Sequence, residues 1–212
     1  MPSPPARVLE LGCGSLGGFV PALERAGYTA LGVDPQAPAG AHYRQASFEE
    51  VELEGSFDAV LACTSLHHVV EPARVVDRVA DVLRADGTLV VIEWDWESFD
   101  DATAQWSFER LADGEHGWLR RRRDAWESSG KSWGDYLRSW AAEDGVHGWS
   151  GLSACLDERF TATHVSYGPY LFADLEGTSP ADEQAAIDAG LIRATRVDWV
   201  GVPAPEPERM GA

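Results

Sequence analysis

Residues 8–18 of the chain read VLELGCGSLGG, an apolar run that ends in a glycine-rich turn. The run Val8–Leu11 is typical of a buried strand, and the glycines after it follow the spacing Gly-x-Gly-x-x-Gly. Glycines in such a turn let the backbone approach a ligand closely. Asp34 ends the next apolar run, near the offset expected for an acid that accepts hydrogen bonds from both hydroxyls of a ribose. The stretch therefore predicts a site for a cofactor that contains a nucleoside.

Strands and helices alternate on both sides of this turn. Apolar runs at 30–33, 57–63 and 88–92 predict further strands, and the run at 57–63 is apolar enough to be central in a parallel sheet. A helix that Pro72 opens carries valines on one face, and we expect it to end at Asp86-Gly87. This alternation predicts an α/β fold, in which a doubly wound parallel sheet has helices on both faces.

The pattern changes after Glu93, because eight of the nine tryptophans lie between Trp94 and Trp149. Trp133, Tyr136, Leu137 and Trp140 share one helical face. We therefore expect a single domain over 1–212 that carries an inserted, Trp-rich helical lid subdomain at 99–147.

The C-terminal part of the chain returns to the main fold. Residues 161–172 predict a strand, 181–191 a helix and 197–202 a last strand. The tail at 203–212 is rich in Pro and Glu, which predicts disorder.

Charge and composition exclude several classes of protein. The net charge of −18, from 17 basic and 35 acidic residues, argues against a nucleic-acid partner. No apolar run is long enough to span a membrane, and the residues before the first strand are too few for a signal peptide. Cys13, Cys63 and Cys155 are scattered, which fits a reducing compartment and no metal site. We expect a cytoplasmic protein.

Glu10, two residues before the first glycine, separates two classes of cofactor. A nicotinamide cofactor brings a pyrophosphate, which a carboxylate at this position would repel. S-Adenosylmethionine brings a sulfonium and an ammonium group, and both attract a carboxylate. Glu10 therefore favours S-adenosylmethionine, with the methionine end oriented by Glu10 and the ribose bound by Asp34.

Three segments, in order, resemble the class I methyltransferases that depend on S-adenosylmethionine. Residues 8–14, VLELGCG, look like the first motif of that class. Residues 57–69, which end in SLHHV, resemble the fourth-strand segment of the UbiE-like group of small-molecule methyltransferases. Residues 82–91, VLRADGTLVV, resemble the segment that leads into their fifth strand. Three motifs in order are far more specific than one glycine turn.

The resemblance implies a Rossmann-like, seven-stranded, mostly parallel sheet whose last strand is reversed. It also implies which residues contact the cofactor, namely Glu10, Gly12, Cys13, Gly14, Asp34 and the backbone near Cys63 and Thr64.

Two features depart from the family pattern. The third glycine falls one place late, at Gly17. The acid that holds the adenine amine in the family is replaced by the sequence Ala46-Ser47-Phe48. Ser47 can accept one hydrogen bond from the adenine, and Phe48 can cover the ring.

His67 and His68 follow the strand at 57–63, at the edge where open α/β sheets bind ligands. Imidazole titrates near neutral pH, so either side chain is a candidate general base for a substrate hydroxyl. The alternative is that the pair shapes the pocket and caps the loop.

The Trp-rich insert has two interpretations that are compatible. Its rings can be the core of a helical cap, or they can bind an aromatic acceptor and surround a sulfonium. Arg120–Arg123 point in four directions on a helix, so pairing with local acids is favoured over a carboxylate clamp.

Acidic side chains alternate with tryptophans just after the fifth strand, at Glu93, Asp95 and Glu97. They share a face of an extended segment and could bind a substrate amine. His116 and His147 do not complete a metal-ligand spacing with them, so we predict no metal.

The sequence thus predicts a methyltransferase that transfers a methyl group from S-adenosylmethionine to an oxygen or nitrogen of a small-molecule acceptor. An NAD(P)-dependent oxidoreductase and a non-catalytic ligand- or partner-binding module on the same fold are the alternatives. The sequence does not set the acceptor or the oligomeric state.

Overall fold

The protein is described by a computed structural model that covers residues 1–111 and 117–205. Within these residues the strands are β1 (Arg7–Leu11), β2 (Thr29–Asp34), β3 (Tyr43–Gln45), β4 (Phe57–Cys63), β5 (Leu83–Trp94), β6 (Phe160–Gly168) and β7 (Arg196–Pro203). The helices are α1 (Val20–Arg25), α2 (Pro72–Val82), α3 (Asp101–Phe108), α4 (Trp118–Ser129), α5 (Trp133–Asp144), α6 (Trp149–Arg159) and α7 (Pro180–Asp188).

The strands of the described residues form one sheet in the order β3-β2-β1-β4-β5-β7-β6. β7, the last strand in the chain, runs antiparallel to the others. β1 pairs in parallel with β2 on one side and with β4 on the other, so that Glu10 lies beside Gly32 and Leu61. β1 is buried after its first residue, as is typical of a central strand in a parallel sheet whose faces are covered by helices. The sequence-based prediction of a doubly wound sheet with a reversed last strand is confirmed.

Contacts divide the chain into two compact units. The first comprises Met1–Ile92, Ser150–Val165 and Trp199–Ala212, and the second comprises Glu93–Trp149 and Ser166–Asp198. The second unit contains the whole of the segment 99–147. That this segment acts as a lid stays a prediction.

In the first unit, α2 begins at Pro72 and buries Val75, Val76 and Val79. The helix ends at Val82, earlier than the sequence pattern indicates, and Leu83 already belongs to β5. Leu83 is buried beside Phe57, and the next paired residues are Ala59 and Thr88, so 84–87 form an irregularity in β5. Burial of the leucine against the sheet outweighs the helical pattern.

Side-chain caps begin two of the helices of the second unit, and glycines end two. The Asp100 side chain accepts from Thr103 N at the start of α3, and Ser132 accepts from Asp135 N at the start of α5. α4 and α5 end at Gly130 and Gly145, both with left-handed φ angles, +66° and +65°.

The strand that the pattern predicts to reach Phe172 ends instead at Gly168. A 3₁₀ turn over Leu171–Asp174 follows, because the fully buried Glu183 accepts hydrogen bonds from three consecutive backbone N–H groups. These donors are Tyr170 N, Leu171 N and Phe172 N, at 2.7–3.1 Å. A buried carboxylate thus takes the place of strand pairing.

β7 ends at Pro203, and residues 206–212 of the predicted disordered tail lie outside the described residues. Among the helices of the described residues, none has the length and apolar character needed to cross a membrane.

Candidate cofactor site

A cavity of about 350 Å³ in the first unit opens where β1, β2 and β4 end. A volume of this order is enough for a small-molecule ligand. Of the residues that the sequence predicts for the site, six line the cavity: Gly12, Asp34, Ser47, Phe48, Thr64 and His68. The others are not among its lining residues, namely Glu10, Cys13, Gly14, Cys63 and His67.

Gly12 directly follows β1 and packs against Ser65, in the segment after β4. Its φ of +78° is left-handed, and a Cβ here would be 2.3 Å from the Cβ of Ser65. Ser65 Oγ in turn donates to Leu11 O at 2.9 Å, and Gly12 N donates to Val33 O at 2.9 Å. Only glycine fits this position without moving the segment after β4.

Asp34 bridges the glycine turn and the end of β2. Its Oδ2 accepts from Gly14 N at 3.0 Å, and its Oδ1 accepts from Gln36 N at 2.6 Å. An ionised carboxylate has about four acceptor sites, so both oxygens retain capacity for the two hydroxyls of a ribose. The structure places Asp34 on the cavity, where the ribose role stays a prediction.

Glu10 is buried, with 2% of its surface exposed, and it points to the start of α1. Its carboxylate accepts from Phe19 N at 2.8 and 3.0 Å and from Val20 N at 3.0 Å. Burial raises the pKa of Glu10 above its ordinary value, and the bonds from Phe19 and Val20 oppose the shift. Gly18 leaves room for this contact, because a Cβ there would be 2.1 Å from Glu10 Oε1.

Neither of the two cysteines of the predicted site, Cys13 and Cys63, lines the cavity. Cys13 is buried, and its burial, with the charges of Glu10 and Asp34, raises the pKa of the thiol to about 11. A thiol that stays protonated at neutral pH is a poor nucleophile. Cys63 is half-buried and pairs with Ile92 at the end of β4.

Thr64, directly after β4, has strained backbone. Its φ is +48°, which is rare for a β-branched residue, and its N–H donates to Ile92 O at 2.7 Å. Such strain persists where surrounding contacts over-determine it, and it is common at ligand sites.

His67 and His68 form a 3₁₀ turn with Leu66, and their ring centroids lie 4.1 Å apart at 48°. His67 is buried, whereas His68 is exposed and lines the cavity. Of the two candidate bases, only His68 reaches the cavity. Its role as a base stays a prediction.

Two residues at this site, Glu49 and Arg78, were not predicted from the sequence. Glu49 lines the cavity next to Phe48. Arg78 lies one helical turn after Val75, which also lines the cavity, and donates to the backbone of the segment after β3. The signal for Arg78 was available, because a cation at i+3 from a buried valine falls on the inner face of α2.

The second unit holds an aromatic cluster. Trp133 is 1% exposed and donates from Nε1 to Phe99 O at 2.7 Å. Its ring lies 5.1–5.6 Å from the ring centroids of Phe99, Phe108, Trp126 and Tyr136. These rings pack against one another as the core of the insert, which is the first of its two interpretations.

The arginine run follows the pairing that the sequence favours. Arg123 Nη2 lies 2.8 Å from Asp124 Oδ1, and Arg122 Nη1 lies 4.0 Å from Asp144 Oδ2. The Arg122 guanidinium also lies 4.9 Å from the centroid of Trp140. These arginines therefore have local acidic and aromatic partners.

The three acids that the sequence places on one extended segment do not share one, because Glu93 lies within β5 and Glu97 lies in a 3₁₀ turn over Trp96–Ser98. Glu93 is fully buried, and burial raises the pKa of Asp95, whose Oδ2 accepts from Ser98 Oγ at 2.6 Å. Within 1–111 and 117–205, no three or more His, Cys, Asp or Glu side chains are grouped to hold a metal ion. His116 lies outside the described residues.

Residues 2–128, more than half of the chain, match a protein family described as a methyltransferase domain. The chain belongs to this family, and the predicted class, the class I S-adenosylmethionine-dependent methyltransferases, is confirmed.

Curated proteins with related sequences are O-methyltransferases. A ubiquinone biosynthesis O-methyltransferase of Bradyrhizobium diazoefficiens is 34% identical over 129 residues, covering 53% of this chain and 51% of that protein. One from Xanthomonas campestris pv. campestris is 36% identical over 102 residues, covering 41% of this chain and 42% of that protein. The chain thus spans about half the length of the curated relatives that it matches.

Solved structures share the fold at lower identity. An S-adenosylmethionine-dependent methyltransferase from Mesorhizobium loti superposes with a TM-score of 0.56 at 18% identity, covering 95% of this chain and 93% of that one. An N-methyltransferase from Bradyrhizobium japonicum WM9, in complex with S-adenosyl-L-homocysteine, gives a TM-score of 0.52 at 16% identity, covering 95% of this chain and 79% of that one.

Proposed function

We propose that the protein binds S-adenosylmethionine in the cavity of the first unit and transfers its methyl group to an oxygen or nitrogen of a small molecule. Family membership supports the class of reaction. The names of the curated relatives, which are O-methyltransferases of ubiquinone biosynthesis, support a small-molecule acceptor. That the acceptor is aromatic stays a prediction from the tryptophan content of the sequence.

The observation that carries the choice of cofactor is the position of the Glu10 carboxylate. In a dinucleotide-binding site, the first N–H groups of the helix after the glycine turn bind the pyrophosphate. Here, Phe19 N and Val20 N donate to Glu10 instead. A carboxylate in the place of the pyrophosphate disfavours the nicotinamide oxidoreductase and leaves a site for a cofactor without phosphates.

The residues of the cavity would hold different parts of the cofactor. Asp34 accepts hydrogen bonds from the ribose hydroxyls, and Phe48 and Ser47 contact the adenine. The strained backbone at Thr64 lies at the strand edge beside them. S-Adenosylmethionine supplies an electrophilic methyl on a sulfonium, and the protein's work is to exclude water and to align the acceptor with that methyl.

His68 is the candidate base that accepts a proton from the acceptor molecule. An imidazole that reaches the cavity can accept a proton from a hydroxyl or an ammonium near neutral pH. With an acceptor in hand, His68→Gln would lower kcat far more than the affinity for S-adenosylhomocysteine. An unchanged kcat would remove His68 from the mechanism.

Calorimetric titration with S-adenosylhomocysteine, with NADH in parallel, tests the cofactor. We expect only the first to bind. Asp34→Ala should weaken binding by about tenfold or more, because two hydrogen bonds from the ribose to a charged acceptor are lost. Asp34→Asn is the matched variant, since the amide keeps one acceptor oxygen.

Three results would contradict the proposal. Binding of NADH alone would make the protein an oxidoreductase candidate. Unchanged affinity in Asp34→Ala would place the ribose elsewhere. If neither ligand binds the folded protein, the non-catalytic binding module becomes the better description.

A further inference from the structure

The second unit has a cavity of its own, which is lined by α3, α4 and the start of α5. We call it the α3–α4 pocket. Its volume is about 430 Å³, which is enough for a small molecule. None of its lining residues also lines the cavity of the first unit, so the two cavities are separate.

Aromatic rings form one wall of this pocket. The rings of Phe108 and Trp126 stack at 28° with their centroids 5.7 Å apart, and both meet the ring of Trp133 edge-on. Phe108 and Trp126 are half-buried, so the aromatic cluster covers only part of their surface. The face of an aromatic ring carries the negative part of its quadrupole, so it attracts a cation and also packs against an apolar group.

The indole donors of this wall are already used. Trp126 Nε1 donates to Lys131 O at 3.0 Å, and Trp133 Nε1 donates to Phe99 O at 2.7 Å. An indole has no second polar group. A ligand in the pocket therefore meets the ring surfaces of these tryptophans and not their N–H groups.

The acids of the pocket, in contrast, keep acceptor capacity. Among the described residues, no group donates to the Asp101 carboxylate. Glu127 Oε1 lies 3.8 Å from Arg123 Nε, which is too far for a hydrogen bond, and Glu109 accepts from Gln105 Nε2 at 3.1 Å. A carboxylate has about four acceptor sites, so all three side chains can accept from a ligand.

The charge of the lining favours the same kind of ligand. The pocket is lined by three acids, Asp101, Glu109 and Glu127, and by one cation, Arg123. Arg123 donates from Nε and Nη2 to Asp124 Oδ1, at 3.1 and 2.8 Å, and Asp124 lies outside the lining. The local charge is therefore negative, and it repels a ligand that carries a carboxylate or a phosphate.

We propose that the α3–α4 pocket binds an organic ammonium ion with an apolar body. The N–H groups of the ammonium donate to the carboxylates, and the apolar body packs against Phe108 and Trp126. A primary or secondary amine fits better than a quaternary one, because unused acceptors require N–H donors. The inference goes beyond the proposed function, since it concerns a second site and holds whether or not the first cavity binds S-adenosylmethionine.

Probes that share a phenyl ring test the class of ligand. Phenethylammonium is positive, phenethyl alcohol is its neutral counterpart, and hydrocinnamate is negative. The proton–nitrogen correlation spectrum of the indole groups reports binding, with Trp126 and Trp133 assigned from their Phe variants. We expect saturable shifts of both signals with the ammonium, at least about fivefold weaker binding of the alcohol, and no binding of the carboxylate. Benzyltrimethylammonium, which has the charge but no N–H donor, should bind more weakly than phenethylammonium.

Two substitutions separate the aromatic wall from the acids. Trp126→Leu removes a ring, and Glu127→Gln removes an exposed carboxylate while keeping the size of the side chain. Each should weaken the binding of phenethylammonium by about threefold or more. Glu50→Gln is the matched control, because it removes the same charge from an exposed residue outside the pocket and should leave the affinity unchanged. Thermal unfolding of the same samples confirms that the variants are folded.

Four outcomes would overturn the inference. No saturable shift of Trp126 and Trp133 up to about 10 mM phenethylammonium would mean that the pocket does not bind it, because a fragment of this size should bind in the millimolar range. Equal affinity for the alcohol would make the pocket merely apolar. Equal losses in Glu127→Gln and Glu50→Gln would assign the attraction to the charge of the whole chain. Equal or tighter binding of benzyltrimethylammonium would remove the hydrogen bonds to the acids.

Discussion

The cavity edge of the first unit and the aromatic cluster of the second are built by opposite means. At the cavity edge, the backbone of Gly12 packs against Ser65 and leaves no space for a Cβ. In the aromatic cluster, large side chains fill the space, and Trp133 alone contacts four other rings. The cavity edge therefore requires a residue without a side chain at Gly12, whereas the cluster requires large aromatic side chains.

This difference predicts different responses to substitution. A close approach of the backbone tolerates no added atom, but it does not depend on the volume of its side chains. A packed cluster loses dispersion contacts and leaves a cavity whenever a ring is removed. Three substitutions, taken from the largest expected effect to the smallest, test the contrast.

Trp133→Ala should have the largest effect on stability. The substitution removes a fully buried ring and the donor to Phe99 O, and buried aromatic residues replaced by alanine typically cost about 3–5 kcal/mol. Urea unfolding followed by near-ultraviolet circular dichroism measures the loss. Trp133→Phe keeps most of the ring and should cost less than half as much. A loss below about 1 kcal/mol in Trp133→Ala would mean that the cluster is not close-packed.

Gly12→Ala should have the largest effect on ligand binding among the glycine variants. A left-handed φ costs a non-glycine residue about 1–2 kcal/mol, and the added Cβ must also displace Ser65. Gly14→Ala is the matched control, because its φ is also left-handed, at +62°, but nothing lies within 4 Å of the new atom. Affinity for S-adenosylhomocysteine should fall by more than tenfold in Gly12→Ala and less in Gly14→Ala. Equal losses would show that backbone strain, not the close approach, governs the edge.

Glu10→Gln should have the smallest effect, and that effect should depend on pH. Folding raises the pKa of Glu10, so the folded protein holds the proton more tightly than the unfolded chain. By linkage, the stability that Glu10 contributes is fully present below its ordinary pKa of 4.5 and is lost as the pH rises through the raised value. The free energy of unfolding of the wild type, minus that of Glu10→Gln, should therefore fall as the pH rises from 4.5 toward neutrality.

Glu50→Gln controls for the loss of one charge from a strongly acidic chain. Glu50 is exposed, and subtracting the curve of Glu50→Gln from that of Glu10→Gln removes the general effect of losing one charge. A flat or rising curve for Glu10→Gln would contradict the raised pKa.

The sequence predicted the first unit well because the constraints there are local. Glycine spacing, an acid at the end of a strand and a proline at the start of α2 each determine the conformation of their own neighbourhood. The prediction therefore placed Gly12, Asp34 and Thr64 close to the cavity that the structure contains. It was wrong at Leu83, where pairing with Phe57 overrides a helical pattern, because pairing between distant strands leaves no local signal.

Three side chains show why other contacts of the structure could not be predicted from the sequence. The direction of the Glu10 carboxylate depends on where α1 begins, and a charge argument alone did not place it at Phe19 N. Glu183 ends a strand pattern by accepting from three N–H groups that lie 11–13 residues away in sequence. Arg78 acts on the backbone of a segment that precedes it by 27 residues. Such contacts between distant residues become visible only in three dimensions.

The bonds at the cavity edge have a consequence for the cost of binding. Three hydrogen bonds between groups of the protein tie β1, β2, β4 and β5 together at one end. Ser65 Oγ donates to Leu11 O, Gly12 N donates to Val33 O and Thr64 N donates to Ile92 O. The loops that meet a ligand are therefore ordered beforehand, and little conformational entropy is left to lose on association. Ligands that fit such a preformed edge should associate at similar rates, and differences in affinity between them should lie mainly in how fast they leave.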